Sequence, residues 1–206
     1  MRGNLYIVSA PSGSGKTTLL DQLMTRFDDL IFSVSYTTRK PRGQERHGTE
    51  YFFVNPGDFL AMAERNEFLE FAEVHGNYYG TGRQFVEENL EGGRSVILDI
   101  DVQGKGLVKE KMPEAVTVFL MPPSYEELSR RLRSRKLEDD ETVRLRLAIA
   151  KKEIQRYGDY DYIVVNDEIE RSLAELEAII RASGLRPASQ RDHIEDIIKS
   201  FGGTDC

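Results

Sequence analysis

Residues 10–17 read Ala-Pro-Ser-Gly-Ser-Gly-Lys-Thr. They follow the apolar run Leu5-Tyr6-Ile7-Val8 and open a helical pattern over residues 17–27. Strand, glycine-bearing turn and helix in that order are the context a phosphate-binding loop requires. Gly13 and Gly15 allow left-handed backbone, so several N–H groups can aim at one point. The helix N-terminus adds a partial positive charge there. Lys16 can reach the outer phosphates of a nucleoside triphosphate, and the hydroxyl of Thr17 is suited to ligate Mg²⁺. The strict pattern starts with glycine, and Ala10 stands in that place. A ligand-free turn would need neither the lysine nor the threonine.

The rest of the chain fits the fold that such a loop demands. Residues 95–100, 116–120 and 162–165 are short runs rich in Val and Ile, apolar on both faces, and helical patterns lie between them. This reads as α/β, a parallel central sheet covered by helices. Two stretches break the rhythm. Residues 33–82 cluster Thr, Arg, Gly and aromatics around shorter strand candidates at 51–54 and 68–74, and read as an insertion with its own small sheet. Residues 124–157 are helical and Arg-rich, and read as an arm or lid. The expected organisation is a single domain. Its core is 1–32, 83–123 and 158–185, with a helix and tail over 186–206 that include the helical pattern 194–201.

The charge balance narrows the ligand. Net charge is −7, which argues against a general nucleic-acid coat. Residues 124–157 nevertheless hold ten Lys and Arg against seven Asp and Glu, which suits a small polyanion. Cys206 is the single cysteine, so neither a disulfide framework nor a cysteine zinc site can form within the chain. His47, His75 and His193 are isolated in sequence. No run approaches the ~20 apolar residues of a membrane helix, and the first residues lack a signal-peptide layout. A cytoplasmic protein with no membrane and no nucleic-acid partner is expected. A homo-oligomer is compatible with the sequence, which does not fix the oligomeric state.

A second substrate must be read from the insertion. Ser33–Arg42 reads Ser-Val-Ser-Tyr-Thr-Thr-Arg-Lys-Pro-Arg, and Arg39 and Arg42 are rigid forks able to bind phosphate bidentately. Tyr51 and Tyr79 offer hydroxyls to complete a phosphate cage. Glu70 can accept from two neighbouring N–H donors, which guanine has and adenine lacks. Asp99 and Asp101 close a strand run and share one face by its two-residue period, where open parallel sheets bind ligands. Each residue alone has a plainer reading. The arginines could belong to a solvated loop, and the tyrosines could be packing residues. Glu70, alternating with apolar neighbours, could sit on the wet face of a strand. Asp101 could cap a helix. Arg131 and Arg135, spaced i, i+4, could lie on a solvated helix face.

Taken together, Ser9–Thr17, Ser33–Arg42, Tyr51-Phe52-Phe53, Gly76–Thr81, Leu98–Gly104 and Val164-Val165-Asn166-Asp167 closely resemble the guanylate kinase family in its bacterial form. The resemblance runs from Leu5 to about Leu185. It implies a P-loop NTPase fold with a parallel central sheet, a small mixed α/β GMP-binding insertion and a helical lid. It also implies phosphoryl transfer from ATP to GMP with Mg²⁺, in purine nucleotide metabolism. Ala10, Pro11, Ser12, Gly13, Ser14, Gly15, Lys16, Thr17 and Thr18 match the ATP phosphate loop, and Asn166 matches a position near the adenine. Ser35, Glu70, Thr81 and Asp101 match guanine contacts, while Arg39, Arg42, Tyr51 and Tyr79 match the GMP phosphate cage. Arg131, Arg135 and Arg146 match lid arginines that, with Lys16 and Arg39, act on the transferring phosphoryl. Thr17 matches a Mg²⁺ ligand, and Asp99 resembles a carboxylate near that ion, acting through water. Lys136 stands where many relatives have glycine.

Three other readings compete. A kinase for a different nucleoside monophosphate or a phosphorylated sugar would lack a use for Glu70, Ser35 and Thr81. A non-catalytic module resembling the enzyme would have lost phosphate-loop residues, whereas Lys16, Thr17 and the lid arginines are present. A GTPase switch would carry Asn-Lys-x-Asp where this chain has Val164-Val165-Asn166-Asp167.

Overall fold

The structure, a computed structural model, describes residues 2–74, 76–134 and 139–202. Arg135, Lys136, His75 and Cys206 lie outside the described residues. Along the chain the elements are β1 (Leu5–Ser9), α1 (Lys16–Met24), β2 (Leu30–Phe32), β3 (Tyr36–Thr37) and β4 (Phe52–Phe53). Next come α2 (Pro56–Glu64), β5 (Phe68–Val74), β6 (Asn77–Gly82), α3 (Arg83–Glu91), β7 (Ser95–Asp99), α4 (Val102–Lys111) and β8 (Val116–Met121). The last are α5 (Tyr125–Ser134), α6 (Asp140–Glu153), β9 (Tyr162–Val165), α7 (Ile169–Ser183) and α8 (Pro187–Ser200), with a 3-10 segment Ile154–Asp159 after α6.

The main sheet runs β2-β7-β1-β8-β9, and every pair in it is parallel. Both faces are covered, which is why its strands read as continuous apolar runs. Tyr6 and Val8 of β1 face one core with Leu19, Leu23, Val118 and Leu176, while Leu5 and Ile7 face another with Val86, Leu90, Leu98 and Val108. The strand period of two sorts these residues. β1 lies at the centre, and its neighbours β7 and β8 come from opposite directions in the strand order. The crevice beyond the C-terminal ends of such strands is where doubly wound sheets take ligands.

A second, mixed sheet runs β4-β3-β6-β5. Its long hairpin, β5 with β6, is antiparallel and carries a register shift between Phe68 and Glu70. Phe59 of α2 stacks on Phe68 and Tyr78 and closes this small core. α5 and α6 form a third layer around Leu128, Leu132, Val143 and Leu147.

α8 starts at Pro187 rather than near Ile194. Proline at the first helical position loses no intrahelical hydrogen bond, and Ser189 and Gln190 tie this end to Ser183 and Gly184. Among the described residues no helix is long and apolar enough to cross a membrane.

Candidate active site

The loop after β1 has the backbone that its glycines foretell. Gly13 has φ +89° and Gly15 φ +87°, both in the left-handed region. Gly15 caps α1, and Lys16 and Thr17 stand on its first turn. Neighbouring side chains also press on both glycines. A Cβ on Gly13 would lie 2.8 Å from Leu132 Cδ2, and one on Gly15 would lie 2.7 Å from Asn166 Nδ2. Neighbours from the second half of the chain therefore clamp the loop. Asn166 Nδ2 donates to the Ser14 carbonyl at 2.6 Å. Arg131 Nη1 donates to the same carbonyl at 3.3 Å, and its Nη2 donates to the Asn166 carbonyl at 3.1 Å. Arg146 Nη1 donates to Ser12 Oγ at 2.7 Å. Two of the expected lid arginines thus reach the loop, while Arg135 falls outside the described residues. Lys16 pairs with Asp99 at the end of β7. Thr17, Thr18 and Ser12 are exposed, while Ala10 is half-buried and packs against the main core.

A separate cavity is lined by Ser35, Tyr51, Glu70, Tyr79, Asp99 and Asp101, with Ala72, Val74, Gly80 and Ile100 as its apolar walls. Glu70 is 6% exposed. Its inward turn comes from the register shift. Phe68, Leu69 and Glu70 are all buried in succession, so strict alternation fails and Phe71 is left exposed. A bulge re-aims a side chain in this way. Glu70 Oε1 accepts from the Thr81 hydroxyl at 2.7 Å. Behind it a Cβ on Gly104 would lie 2.9 Å from Glu70 Oε2, so the first turn of α4 backs the carboxylate. Burial, reinforced by the charge of Asp101 and opposed by the Thr81 hydrogen bond, pushes Glu70 up to about 7. Asp101 caps α4 by accepting from the Gly104 N–H at 2.8 Å and still borders the cavity.

Arg39 is the anchored arginine. Its guanidinium meets the Glu45 carboxylate in two bonds, Nη1 to Oε2 at 2.9 Å and Nη2 to Oε1 at 3.0 Å. It lies over the Tyr51 ring, 5.3 Å from the centroid. Tyr51 packs edge-on to Tyr79 at 5.9 Å. Burial, with the charge of Asp99 adding to it, raises the Tyr51 pKa, so its hydroxyl stays a donor. Arg42 is exposed, and its backbone N–H donates to Glu45 at 2.7 Å. A second cleft, lined by Thr17, Asp21, Phe32, Glu45, Tyr51 and Asp99, runs from the cavity to the loop. Tyr51 and Asp99 border both spaces.

Comparison with known proteins matches residues 2–183 to the guanylate kinase family model. The chain belongs to the guanylate kinase family. The guanylate kinase of Dechloromonas aromatica is 47% identical over 93% of this chain and 95% of its own. That of Escherichia coli strain K12 is 47% identical over 97% and 98%. The crystal structure of guanylate kinase from Anaplasma phagocytophilum superposes with a TM-score of 0.81 at 35% identity, covering 99% of this chain and 98% of that one. The chain is an enzyme with the family's phosphotransferase activity, ATP to GMP.

Three further charged residues near the loop and the cavity are not marked out by the sequence. Glu45 borders the cleft, and its one visible signal is a lone acid closing Arg-Lys-Pro-Arg-Gly-Gln-Glu. Glu153, at the end of α6, is half-buried; burial chiefly raises its pKa, and it feels the charges of Asp101 and Lys16. Lys105 is buried, donates to the Asp159 carbonyl at 2.7 Å and sits 4.6 Å from the Tyr160 ring centroid. No local pattern marks these last two, because only the tertiary fold brings the segment after α6 beside α4.

Proposed function

We propose that this chain transfers the terminal phosphoryl of ATP to GMP with Mg²⁺ as the accompanying ion, the two nucleotides meeting between the loop and the second sheet. The observation that carries this reading is the pair of adjoining spaces. One ends at a buried carboxylate with a hydroxyl beside it, the other at the phosphate loop, and Tyr51 and Asp99 lie at their junction.

Ionised Glu70 accepts from the ring N–H and exocyclic amine of guanine, with Thr81, Ser35 and Asp101 completing the base site. Adenine would leave buried polar groups unpaired, a penalty of up to ~10⁴–10⁵ in a site built this way. Arg39, Arg42, Tyr51 and Tyr79 take the acceptor phosphate. Its second pKa is about 6, so at pH 7 it is already mostly the dianionic nucleophile and needs no general base. Lys16 leaves Asp99 for the outer phosphates of ATP. Arg131 and Arg146 approach the transferring group from the lid side, and Arg135 is proposed to do the same. Charge neutralisation and positioning are the main tasks, since both reactants are anions. Closure keeps out water, the competing acceptor.

The Mg²⁺ assignment rests on the donors present. Thr17 and Asp99 offer hard oxygens beside the loop, and no group of three metal-ligating side chains occurs among the described residues. Mg²⁺ is commonly held by one or two such ligands, with phosphates and water supplying the rest. Bound there, it would withdraw charge from the donor phosphates. The cytoplasm, where ATP and GMP are found, is the proposed location.

The test is ADP release from ATP with GMP, AMP, CMP and UMP as acceptors. GMP should exceed the others by at least about 10³-fold in kcat/KM. Comparable rates with AMP would overturn the assignment.

A further inference from the structure

Glu45 has no part in the reaction as set out above, yet it bonds to both arginines of the proposed phosphate site. Its two oxygens accept from both terminal nitrogens of Arg39, at 2.9 and 3.0 Å. Oε2 also accepts from the Arg42 N–H at 2.7 Å, while the Glu45 N–H returns a bond to the Arg42 carbonyl at 3.1 Å. Gly43, at φ +56°, lets the chain turn tightly enough for this exchange. The carboxylate therefore fixes a side chain and the loop that carries it.

The donor count shows what this leaves. A guanidinium has five N–H donors in one plane. Arg39 Nη1 uses both of its hydrogens, one on Glu45 and one on the Lys40 carbonyl at 2.8 Å, and Nη2 uses one on Glu45. The two donors outside these bonds are Nε–H and the second Nη2–H, and they share one edge of the plane. That edge is a parallel fork matched to two phosphate oxygens. The Tyr51 ring lies beneath the guanidinium, and the Tyr79 side chain hydrogen-bonds to it.

We propose that Glu45 is a positioning residue: it holds Arg39 end-on so that the side-on edge of the guanidinium is presented to the acceptor phosphate. The carboxylate also borders the cleft that runs to Thr17 and Asp99. A placeholder that mimics the phosphate and must be displaced would occupy the same position. The two roles predict opposite signs. Removing a placeholder tightens GMP, whereas removing a positioning group weakens it. The bond from the Arg42 N–H favours positioning, because a displaced carboxylate would surrender it together with both guanidinium bonds, while the main-chain bond from the Glu45 N–H to the Arg42 carbonyl keeps the residue in place.

The inference rests on reading the cavity as the GMP site. Binding of GMP, AMP and guanosine is therefore measured by calorimetry on the wild-type chain, E45Q, R39A and the double variant. A wild-type chain that fails to prefer GMP over AMP sinks that reading and this inference with it. With the preference present, E45Q should weaken GMP about tenfold or more, since glutamine cannot accept from both guanidinium nitrogens. In the R39A background the same change should alter GMP affinity less than about twofold, because the pair acts as a unit. Guanosine, which has no phosphate, should bind all four proteins alike. Unchanged or tighter GMP binding by E45Q overturns the inference. So does an equal loss in both backgrounds, or a loss of guanosine binding in E45Q, either of which assigns Glu45 a general structural role.

Discussion

The Thr81 hydroxyl donates to Glu70 Oε1 at 2.7 Å inside a cavity where the carboxylate is almost fully enclosed. Burial wins over that hydrogen bond, and Glu70 rises to about 7. The sign of the consequence follows from proton counting. Between the unfolded value near 4.5 and about 7 the folded chain holds the proton and the unfolded chain does not. Stability should therefore fall as pH rises through that window, by about 3 kcal/mol at most, and level off above it. E70Q should lack this slope in denaturant melts between pH 5 and 8. On the proposed reading of the cavity the GMP dependence runs the other way, since only ionised Glu70 would accept from both guanine donors. In the free enzyme kcat/KM for GMP should drop as pH falls below about 7. E70Q should keep only the limb near pH 6 that belongs to the acceptor phosphate itself.

Lys16 and Asp99 form an ion pair, with side chains 18% and 27% exposed. Such a pair near solvent contributes about 1 kcal/mol or less. Lys16→Ala should thus leave the thermal midpoint within about 4 °C of the parent, while turnover falls by about 10³-fold or more because no other loop side chain carries charge to the outer phosphates. Near-normal turnover in that variant would remove the loop from the mechanism.

How far the sequence carries depends on whether a signal is local. The loop, its flanking strand and helix, and the paired carboxylates Asp99 and Asp101 all depend on spacings of a few residues, and all lie in one crevice. Glu70 marks the limit. The alternation in Phe68-Leu69-Glu70-Phe71 places it on the wet face, and the shift in register that turns it inward leaves no trace in the pattern. β2 and β3 have three and two residues, too short to rise above loop composition. Lys105, between two glycines, reads as a solvated helix residue. The fold buries it because residues 159 and 160 come to lie against α4.

Lys105 offers a test of that placement. Burial lowers its pKa, and its ammonium is satisfied by the Asp159 carbonyl and the Tyr160 ring. K105M keeps the apolar stem but strands the carbonyl and forfeits the cation–π contact. The loss should be about 1–2 kcal/mol, read as a fall of ~3–6 °C in Tm. An unchanged Tm would show that the segment after α6 is not held by α4.

Asn166 separates two roles that sequence and geometry assign to the same side chain. The resemblance puts it near adenine, whereas its Nδ2 donates at 2.6 Å to the Ser14 carbonyl and its own carbonyl accepts from Arg131. A residue that reads the base should discriminate between donors. A residue that braces the loop should not. N166A strands the Ser14 carbonyl on one long bond from Arg131, and by that route KM for any triphosphate donor should rise about tenfold. With ATP and GTP compared as donors to GMP, equal losses are the expected result. A loss confined to ATP would return Asn166 to the adenine pocket.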